Sequence, residues 1–257
     1  MAGANSLNAR QAHMLEHVSE NGSAQIKEFS AICGVSEATV RRDFDELTRL
    51  GLVERVHGGI VRTNGTSFER VHSEKMNLML DEKLRIASYA ASIVTNGDSI
   101  FLDSGTTTYF IARELAHHRD LTVITNNLDI AQSVHFDPSV SLIVTGGLRR
   151  DKFGVLIGSI TEQVISSFYV DKSFIGCDSI DPKAGIFNTN FQEVSVKQCI
   201  TRCGKKTILV TDSSKFATKA LAKVCDLDAI DMIITDSGIE DTTLRAVKKK
   251  VPNTVCV

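Results

Sequence analysis

The feature that most constrains this chain is the alternation of short apolar segments with helical ones from about residue 97 onward. The candidate strands are SIFLDS, LTVITNN, SLIVTGG, VDKSFIG, TILVTDSS and DMIITDSG, with NTVCV as a further candidate. Segments with helical periodicity lie between most of them, at 106–116, 128–134, 158–168, 191–203 and 239–250. Apolar strands that alternate with helices indicate a largely parallel sheet covered on both faces. The pattern therefore predicts an α/β fold for this part of the chain.

Polar residues and glycines cluster where five of these candidate strands end. The strand ends are Asp103-Ser104-Gly105-Thr106-Thr107, Asn126-Asn127, Gly146-Gly147, Gly176-Cys177-Asp178 and Asp212-Ser213-Ser214-Lys215. In parallel sheets of this kind, ligands bind beyond the carboxyl ends of the strands, where these residues would converge. The first end leads into a helix, whose start has unpaired N–H groups and positive partial charge. FLDSGTTTYFIARELA therefore predicts a cradle for an anion such as phosphate.

The N-terminal part of the chain shows helical periodicity without candidate strands up to about residue 51. Asn8 can cap a first helix that runs to about Asn21, SAQIKEFSAICG contains a second, and Ser36 can cap a third that Gly51 would end. The positions predicted to face inward are Ala12, Leu15, Val18, Ile26, Phe29, Cys33, Val40, Phe44 and Leu47. Two short helices joined by a turn at Gly34 form a helix-turn-helix.

A hairpin follows the third helix. LVERVHGGIVRT alternates apolar and polar residues around Gly58-Gly59, a pair suited to a tight turn, and so predicts a wing. We therefore expect one domain over 1–62 and a second over 81–257. Residues 63–80 would hold a linker, marked by TNGTS, and the start of a long connecting helix that ends near NGD at 96–98.

Exposed residues on the third helix and the wing are candidate DNA contacts. They are Ser36, Thr39, Arg41, Arg42, Arg55 and His57. Side chains near the start of such a helix reach base edges in the major groove, where arginine pairs with guanine through two hydrogen bonds. The alternative is that Arg41 and Arg42 only pair with Asp45 and Glu46 on a solvated helix face. Asp43 is expected to turn back toward the first helix or to orient an arginine.

Composition limits the classes of protein to which the chain can belong. It has 257 residues, 42% hydrophobic and 23% charged, which suits two cores, one small and one larger. No apolar run approaches the roughly 18 residues of a membrane span and the N-terminus lacks a signal-peptide pattern, so we expect a cytoplasmic protein without membrane contact. The net charge of -2 means that any DNA-binding charge is local. Six scattered cysteines without a CxxC pair predict reduced, mostly buried thiols and neither a metal nor a cofactor.

Several motifs, in order and spacing, resemble the DeoR family of bacterial transcriptional regulators over essentially the whole chain. They are VSEATVRRDFDELTRLGLVERVHGGIV, FLDSGTTT, LTVITNN, TGGLRR and VTDSSKF. The resemblance implies a winged helix-turn-helix DNA-binding domain joined to a Rossmann-like sensor domain with a parallel sheet, related in fold to ribose-phosphate isomerase. Its implied partners are double-stranded operator DNA and a phosphorylated sugar effector. Repression of a carbohydrate-utilisation operon is the implied function, and a homo-oligomer, dimer or tetramer, would suit paired half-sites.

The resemblance also implies an effector site. Carried over position by position, it consists of Asp103, Ser104, Gly105, Thr106, Thr107, Thr108, Asn126, Gly146, Gly147, Arg149, Asp178 and Lys215. One departure is GCDSID, where many members have Gly-x-Gly-Ile-Asp, so that Asp178 replaces the second glycine. The added carboxylate would suit sugar hydroxyls or an amine, or else it caps a turn.

Two other classes of function compete with this interpretation. A sugar-phosphate isomerase would need a carboxylate base and a group that polarises the carbonyl, roles open to Asp178 or Glu193 with Lys215. Fold alone does not establish chemistry and no sharper catalytic arrangement is present, so we do not expect an enzyme. An architectural or RNA-binding protein that uses only the winged helix would leave the convergent strand ends without a role.

Overall fold

A computed structural model describes residues 7–49, 52–62, 66, 69, 72–150 and 153–257. The chain forms two compact units, which divide between Gly65 and Thr66. The predicted helix stop at Gly51 and most of the predicted linker TNGTS lie outside the described residues.

The first unit contains three helices and a small antiparallel sheet. Its elements are α1 (Ala9–Asn21), β1 (Ser23–Gln25), α2 (Ile26–Cys33), α3 (Glu37–Arg49), β2 (Val53–Val56) and β3 (Gly59–Arg62). The strand order is β1-β3-β2. Asn8 caps α1 as predicted, because its side chain accepts from the Gln11 N–H at 2.8 Å while the Gln11 side chain accepts from the Asn8 N–H at 3.1 Å.

The core of the first unit follows the predicted stripes of α2 and α3. Its fully buried side chains include Met14, Val18, Phe29, Val40, Phe44 and Leu47. The inward positions predicted for α1 are partly wrong, because Ala12 is exposed and Leu15 only half-buried. The buried residues of α1 are instead Gln11, Met14 and Val18. These three share one face of the helix because they are three and four positions apart. Each large buried apolar side chain contributes roughly 1.5–3 kcal/mol.

The wing is present, but its two glycines have different roles. Val56 pairs with Gly59, so the turn consists of His57 and Gly58, and Gly58 has a φ of +78°. Gly59 lies in β3, where a Cβ atom would stand 2.3 Å from the carbonyl oxygen of Ala24 in β1. Gly59 therefore allows β1 to approach β3, a contact that the sequence did not predict because β1 was included in the second helix.

The second unit is a larger α/β domain. Its helices are α4 (His72–Asn77), α5 (Leu80–Ser92), α6 (Thr106–Glu114), α7 (Leu128–Ser133), α8 (Ser159–Ser166), α9 (Val194–Cys203) and α10 (Asp241–Lys250). Its strands are β4 (Ser99–Leu102), β5 (Thr122–Thr125), β6 (Ser141–Val144), β7 (Leu148–Arg150), β8 (Val155–Ile157), β9 (Val170–Ile175), β10 (Ser179–Asp181), β11 (Gly185–Asn188), β12 (Gly204–Val210), β13 (Ala222–Cys225), β14 (Met232–Thr235) and β15 (Thr254–Cys256).

All seven candidate strands form one parallel sheet, in the order β15-β14-β12-β9-β4-β5-β6. Alternate residues of β4 face opposite layers: Leu102 packs with Ile111 of α6, whereas Phe101 packs with Ile200 of α9. Since helices cover both faces, the carboxyl ends of the strands remain for ligands. The predicted fold class, a winged helix-turn-helix followed by a parallel α/β domain, is confirmed.

Two features of the second unit differ from the prediction. The expected long connecting helix is two helices, because α4 ends at Asn77 and α5 begins at Leu80, with Met79 at a φ of +53° between them. Asp81 and Glu82 stand in the first turn of α5, where negative charge favours a new helix start. Two small antiparallel sheets, β7-β8 and β10-β11-β13, were not predicted.

Candidate functional site

The start of α3 presents the first group of candidate residues. Ser36 caps the helix, since its Oγ accepts from the Thr39 N–H at 3.3 Å and lies 3.0 Å from the Thr39 Oγ1. Both hydroxyls are thus engaged with each other while Ser36 stays exposed. Hydroxyls in this position can also donate to a phosphate.

Arg41 and Arg42 both project from α3 into solvent. Arg41 Nη2 lies 3.3 Å from Glu37 Oε2 in a pair whose side chains are both exposed, and Arg42 has no ion pair with any described residue. Exposed helix pairs of this type are worth only about 0.3–0.5 kcal/mol, so Arg41 can exchange its partner. The alternative in which the two arginines pair with Asp45 and Glu46 is wrong for the described side chains, because those carboxylates bind Arg55 and Arg49 respectively.

The two candidate residues of the wing differ in their contacts: Arg55 binds groups of the protein, whereas His57 is exposed. Arg55 Nε lies 3.0 Å from Asp45 Oδ1, and its Nη1 donates to the Gly59 carbonyl oxygen at 2.6 Å. The Arg55 guanidinium also stands 5.6 Å from the centre of the Phe44 ring. These contacts fix the wing to α3. His57 is exposed at the turn.

Asp43 is buried and faces the first helix, as one of the two expectations had it. Its Oδ2 accepts from Arg10 Nε at 2.5 Å and its Oδ1 accepts from Gln11 Nε2 at 3.2 Å. The hydrogen bond to Asp43 raises the pKa of Arg10 above its usual range. Asp43 therefore orients an arginine as well, but that arginine is half-buried on α1 and does not belong to α3.

The second group surrounds the turn between β4 and α6. Gly105 caps the helix with its backbone, and the N–H groups of the first helical residues, Thr106 onward, have no acceptor within the helix. Ser104 and Thr107 are mostly buried beside them. This turn provides donors and positive partial charge, as an anion cradle requires.

Asp103 and Thr108 support this cradle from inside. Asp103 Oδ2 accepts from the Gly176 N–H at 3.0 Å and from Lys197 Nζ at 2.5 Å, and all three groups are buried or nearly so. Thr108 Oγ1 donates to the Gly105 carbonyl oxygen at 2.7 Å. Burial disfavours the charge of Lys197, but Asp103 and Glu193 more than offset this and raise its pKa. Lys197 was not predicted from the sequence.

The next strand ends bring amides and glycines to the same edge. Asn126 Nδ2 donates to the Leu156 carbonyl oxygen at 3.1 Å, whereas Asn126 Oδ1 and Asn127 Nδ2 are buried without a hydrogen-bond partner among the described residues. Gly147 has a φ of +123°, and a Cβ there would stand 2.0 Å from Thr161 Oγ1. Buried polar atoms without partners are rare, so the two amides make this edge a candidate ligand site.

The two consecutive arginines of β7 lie in different surroundings. Arg149, which the resemblance selected, is exposed. Arg150 is almost buried, with Nη2 2.7 Å from Glu69 Oε2 and a second ion pair to Glu193 Oε1. Glu193 also accepts from Asn188 Nδ2 at 3.1 Å, and burial raises the pKa of its carboxyl group.

Asp178 and Lys215 are the last two residues, in chain order, of the effector site that the resemblance implies. Asp178 Oδ1 lies 3.1 Å from Lys75 Nζ, and its Oδ2 accepts from the Thr189 N–H at 2.9 Å. Burial opposes ionisation of Asp178, but Lys75 and the Thr189 N–H hold its pKa well below the usual range. Lys215 is half-buried on a short 3-10 helix that begins at Ser213.

Lys83 on α5 is a further cation that the sequence analysis missed. Its ammonium is buried and donates to the backbone carbonyl oxygen of Lys75. Burial lowers the pKa of Lys83 to about 8, with Asp212 and Lys215 among the charges around it. No sequence signal identified Lys83, because a lysine in DEKLRIA reads as one more polar position of an amphipathic helix.

Other chemistry is limited in the described part of the chain. There, no group of three or more histidine, cysteine or acidic side chains could hold a metal ion. The six cysteines are unpaired; Cys199 and Cys203 are buried, Cys256 is exposed and the others are half-buried. No helix within the described ranges is long and apolar enough to cross a membrane.

An arginine-bearing winged helix-turn-helix, followed along the chain by an α/β domain with an anion cradle, defines a transcriptional regulator with a DNA-binding and a sensor domain. Family models agree with this class. Residues 10–66 match the DeoR-like helix-turn-helix domain, and residues 79–237 match the DeoR C-terminal sensor domain. The chain belongs to the DeoR family, which confirms the resemblance.

Several relatives of this chain have names that describe transcriptional repressors. A provisional aga operon transcriptional repressor of Escherichia coli O157:H7 is 33% identical over 93% of this chain and 90% of its own length. The glycerol-3-phosphate regulon repressor of Escherichia coli K12 is 31% identical over 89% of this chain and 90% of its own length. Ribose-5-phosphate isomerase A of Methanocaldococcus jannaschii aligns with 17% identity and a TM-score of 0.39, over 54% of this chain and 55% of that chain.

Proposed function

We propose that this protein represses a carbohydrate-utilisation operon and is released from its operator by a phosphorylated sugar. The observation that carries the proposal is the cradle at Ser104–Thr107, which opens a helix at the ligand-binding edge of the sheet. The names of the relatives, which refer to the aga operon and the glycerol-3-phosphate regulon, support a carbohydrate-related effector. DNA binding is assigned to 1–62 and effector binding to 81–257, with 63–80 between them.

In the proposed effector complex, the phosphate accepts from the backbone N–H groups of Ser104–Thr107. Lys83 and Lys215 supply positive charge, and the unpartnered Asn126 Oδ1 accepts from a sugar hydroxyl. Gly146 leaves room for the sugar, whereas Gly147 serves the site by letting Thr161 pack against the backbone there. Asp178 has both oxygens engaged in the protein, which favours a positioning role over direct contact with the sugar.

In the proposed DNA complex, Arg41 and Arg42 contact bases or phosphates in the major groove. Ser36 and Thr39 donate to phosphates, and His57 contacts the backbone from the wing. Arg55 contributes by holding the wing against α3 through Asp45. We also propose a cytoplasmic homo-oligomer, a dimer or a tetramer, because paired operator half-sites need paired reading helices.

We propose no catalytic activity. The carboxylates that could serve as a base are both held by cations, Asp178 by Lys75 and Glu193 by Arg150. A general base must reach the proton that it abstracts, and a carboxylate held in this way is poorly placed to do so. Relatives named as regulators support the same conclusion.

A panel of sugar phosphates, tested on the full chain, decides between these functions. We expect one or more to raise the melting temperature and to weaken operator binding without being converted to product. Turnover without an effect on DNA binding would instead establish the isomerase-like alternative.

Gly105 offers a direct test of the cradle. A Cβ at this position would stand 3.5 Å from Thr108 Oγ1, which is ordinary contact, so Gly105→Ala should fold and serve as the matched control. Gly105→Leu should keep operator binding and lose the response to sugar phosphate, because a larger side chain crowds the N–H groups. A normal response in Gly105→Leu would place the phosphate elsewhere.

A further inference from the structure

The segment that precedes the sensor sheet is tied to that domain by two ion pairs and by one histidine–aspartate contact, in which burial lowers the pKa of His72 and so disfavours its charge. Glu69 and helix α4 lie, along the chain, between the winged helix and the sensor sheet. The three pairs are Glu69 with Arg150 at 2.7 Å, His72 with Asp129 at 3.2 Å and Lys75 with Asp178 at 3.1 Å. We call these six residues the clasp.

The sensor-side partners of the clasp follow three of the strand ends proposed to hold the effector. Asp129 lies just after the Asn126-Asn127 end, and its N–H donates to Asn127 Oδ1 at 2.8 Å. Arg150 and Asp178 follow, in the same way, the ends at Gly146-Gly147 and Gly176. A change in these loops on ligand binding would therefore act on Glu69 and α4 through the three contacts of the clasp.

The clasp is also joined to the cradle through buried contacts. Asp103, which supports the cradle, accepts from the N–H of Gly176, two residues before Asp178. Lys197 bonds to both Asp103 Oδ2 and the Gly176 carbonyl oxygen, at 2.5 and 3.0 Å. The cradle and the clasp are therefore connected through these polar contacts to Gly176 and through the two residues of backbone that lead from Gly176 to Asp178.

The charges of the clasp indicate how a bound anion would act on it. Lys75 Nζ lies between two carboxylates, 3.3 Å from Glu69 Oε1 and 3.1 Å from Asp178 Oδ1, and Arg150 lies between Glu69 and Glu193. The side chains of Glu69 and Arg150 are each only 11% exposed, so these attractions are weakly screened. An anion bound at this edge would compete with Glu69 and Glu193 for Arg150.

We propose that the clasp regulates the effector site, an inference that rests on the proposed function. In the absence of effector, Glu69 and Asp178 hold Lys75 and Arg150 and keep the preceding segment on the sensor sheet. A phosphate bound in the cradle near Lys83 and Lys215 also draws Arg150 away from Glu69, so that Glu69 and α4 lose one of their contacts with the sensor domain. Because coupling is reciprocal, a weakened clasp raises the affinity for phosphate by the same factor by which phosphate weakens the clasp.

Hydrogen exchange on the full chain tests the clasp, with inorganic phosphate as the probe. In the wild type we expect added phosphate to speed the exchange of the amides in α4. Glu69→Gln and Asp178→Asn should exchange faster than the wild type without phosphate, and should bind phosphate about tenfold more tightly. The matched control is Asp228→Asn, which removes an exposed ion pair to Lys250 at 3.4 Å and should behave as the wild type.

The outcomes separate the two proposals. Phosphate binding with unchanged or slower exchange in α4 would overturn the clasp and leave the proposed function in place. If neither phosphate nor any sugar phosphate of the panel binds, both the clasp and the proposed effector response are overturned. If the two variants exchange faster than the wild type but bind phosphate more weakly, the proposed competition is also overturned. If one carboxylate variant does not fold, the other carries the test, because Glu69 and Asp178 belong to different segments.

Discussion

At the scale of single residues, the role of a charged side chain depends on partners that are distant in the sequence. Asp43 stands on the predicted DNA-reading helix and Asp103 in the predicted phosphate loop, yet each is held by a cation from another helix, Arg10 and Lys197. A paired aspartate and a free one look alike in a sequence. Charge that remains available, such as that of Arg42, becomes recognisable only when its neighbours are known.

The arginines of α3 give the first prediction. Arg42→Ala or Arg41→Ala should weaken operator binding by about 1–3 kcal/mol, because each would lose a base or phosphate contact. The measurement is a binding titration at fixed salt concentration. Arg49→Ala, at the other end of α3 and paired with Glu46, is the matched control. Affinities equal to the wild type in both variants would show that this helix face does not read DNA.

Lys83 gives a prediction about pH. Its pKa is lowered to about 8, so its ammonium is charged below that pH and neutral above it. A phosphate monoester keeps its full charge above pH about 6, so effector affinity should be highest near pH 7 and fall, by up to about tenfold per pH unit, above pH 8. Calorimetric titration from pH 7 to 9.5 measures this. Lys83→Met should bind the effector more weakly at pH 7, and its affinity should no longer fall above pH 8. If the affinities of the variant and the wild type fall in parallel with pH, Lys83 does not belong to the site.

At the scale of elements, the sequence predicts what local periodicity determines. Each of the seven strands of the main sheet lies in a largely apolar segment that the sequence analysis identified. Strand β1 and the β7-β8 hairpin have three-residue strands, too short for a periodic signal, and they exist because a partner strand pairs with them. The helix break at Met79 was also missed, since the residues around it suit a helix and only its backbone conformation interrupts it.

The glycine pair after β6 allows a prediction at this scale. Both glycines have positive φ, but a Cβ at Gly146 meets no atom within 4 Å, whereas one at Gly147 would stand 2.0 Å from Thr161 Oγ1 and 2.8 Å from the Ile157 carbonyl oxygen. Gly147→Ala should therefore lower stability by about 1–3 kcal/mol more than Gly146→Ala, because strand β8 or helix α8 must shift. Chemical unfolding followed by circular dichroism compares the two. Equal stabilities would argue against this packing.

At the scale of the whole molecule, two chemically different sites occupy two separate units of one chain. The net charge of -2 gives the protein no general affinity for nucleic acid, so DNA binding depends on local cations of the first unit. The second unit concentrates paired charges at one edge of its sheet. Ligand can affect DNA binding only if it binds the DNA-bound and free forms of the protein with different affinity.

Linkage makes this requirement measurable. If a sugar phosphate lowers operator affinity tenfold, operator DNA must lower the affinity for that sugar phosphate tenfold, a coupling of about 1.4 kcal/mol. The test is the dissociation constant of the sugar phosphate with and without saturating operator, with a DNA of unrelated sequence as the control. Equal constants alongside operator release would mean that the release has another cause.

The sequence by itself determined the order of the seven strands of the main sheet along the chain, the winged helix-turn-helix and the polar strand ends, because these depend on local periodicity and turn chemistry. The tertiary structure decided which polar residues at those ends are held by ion pairs or hydrogen bonds and which have buried atoms without a partner. Asp103 and Asp178 proved to be paired, while the buried or nearly buried cations Lys83, Arg150 and Lys197 were not among the residues selected from the sequence. The physical reason is that burial and ion pairing depend on which distant segments the sheet topology brings together.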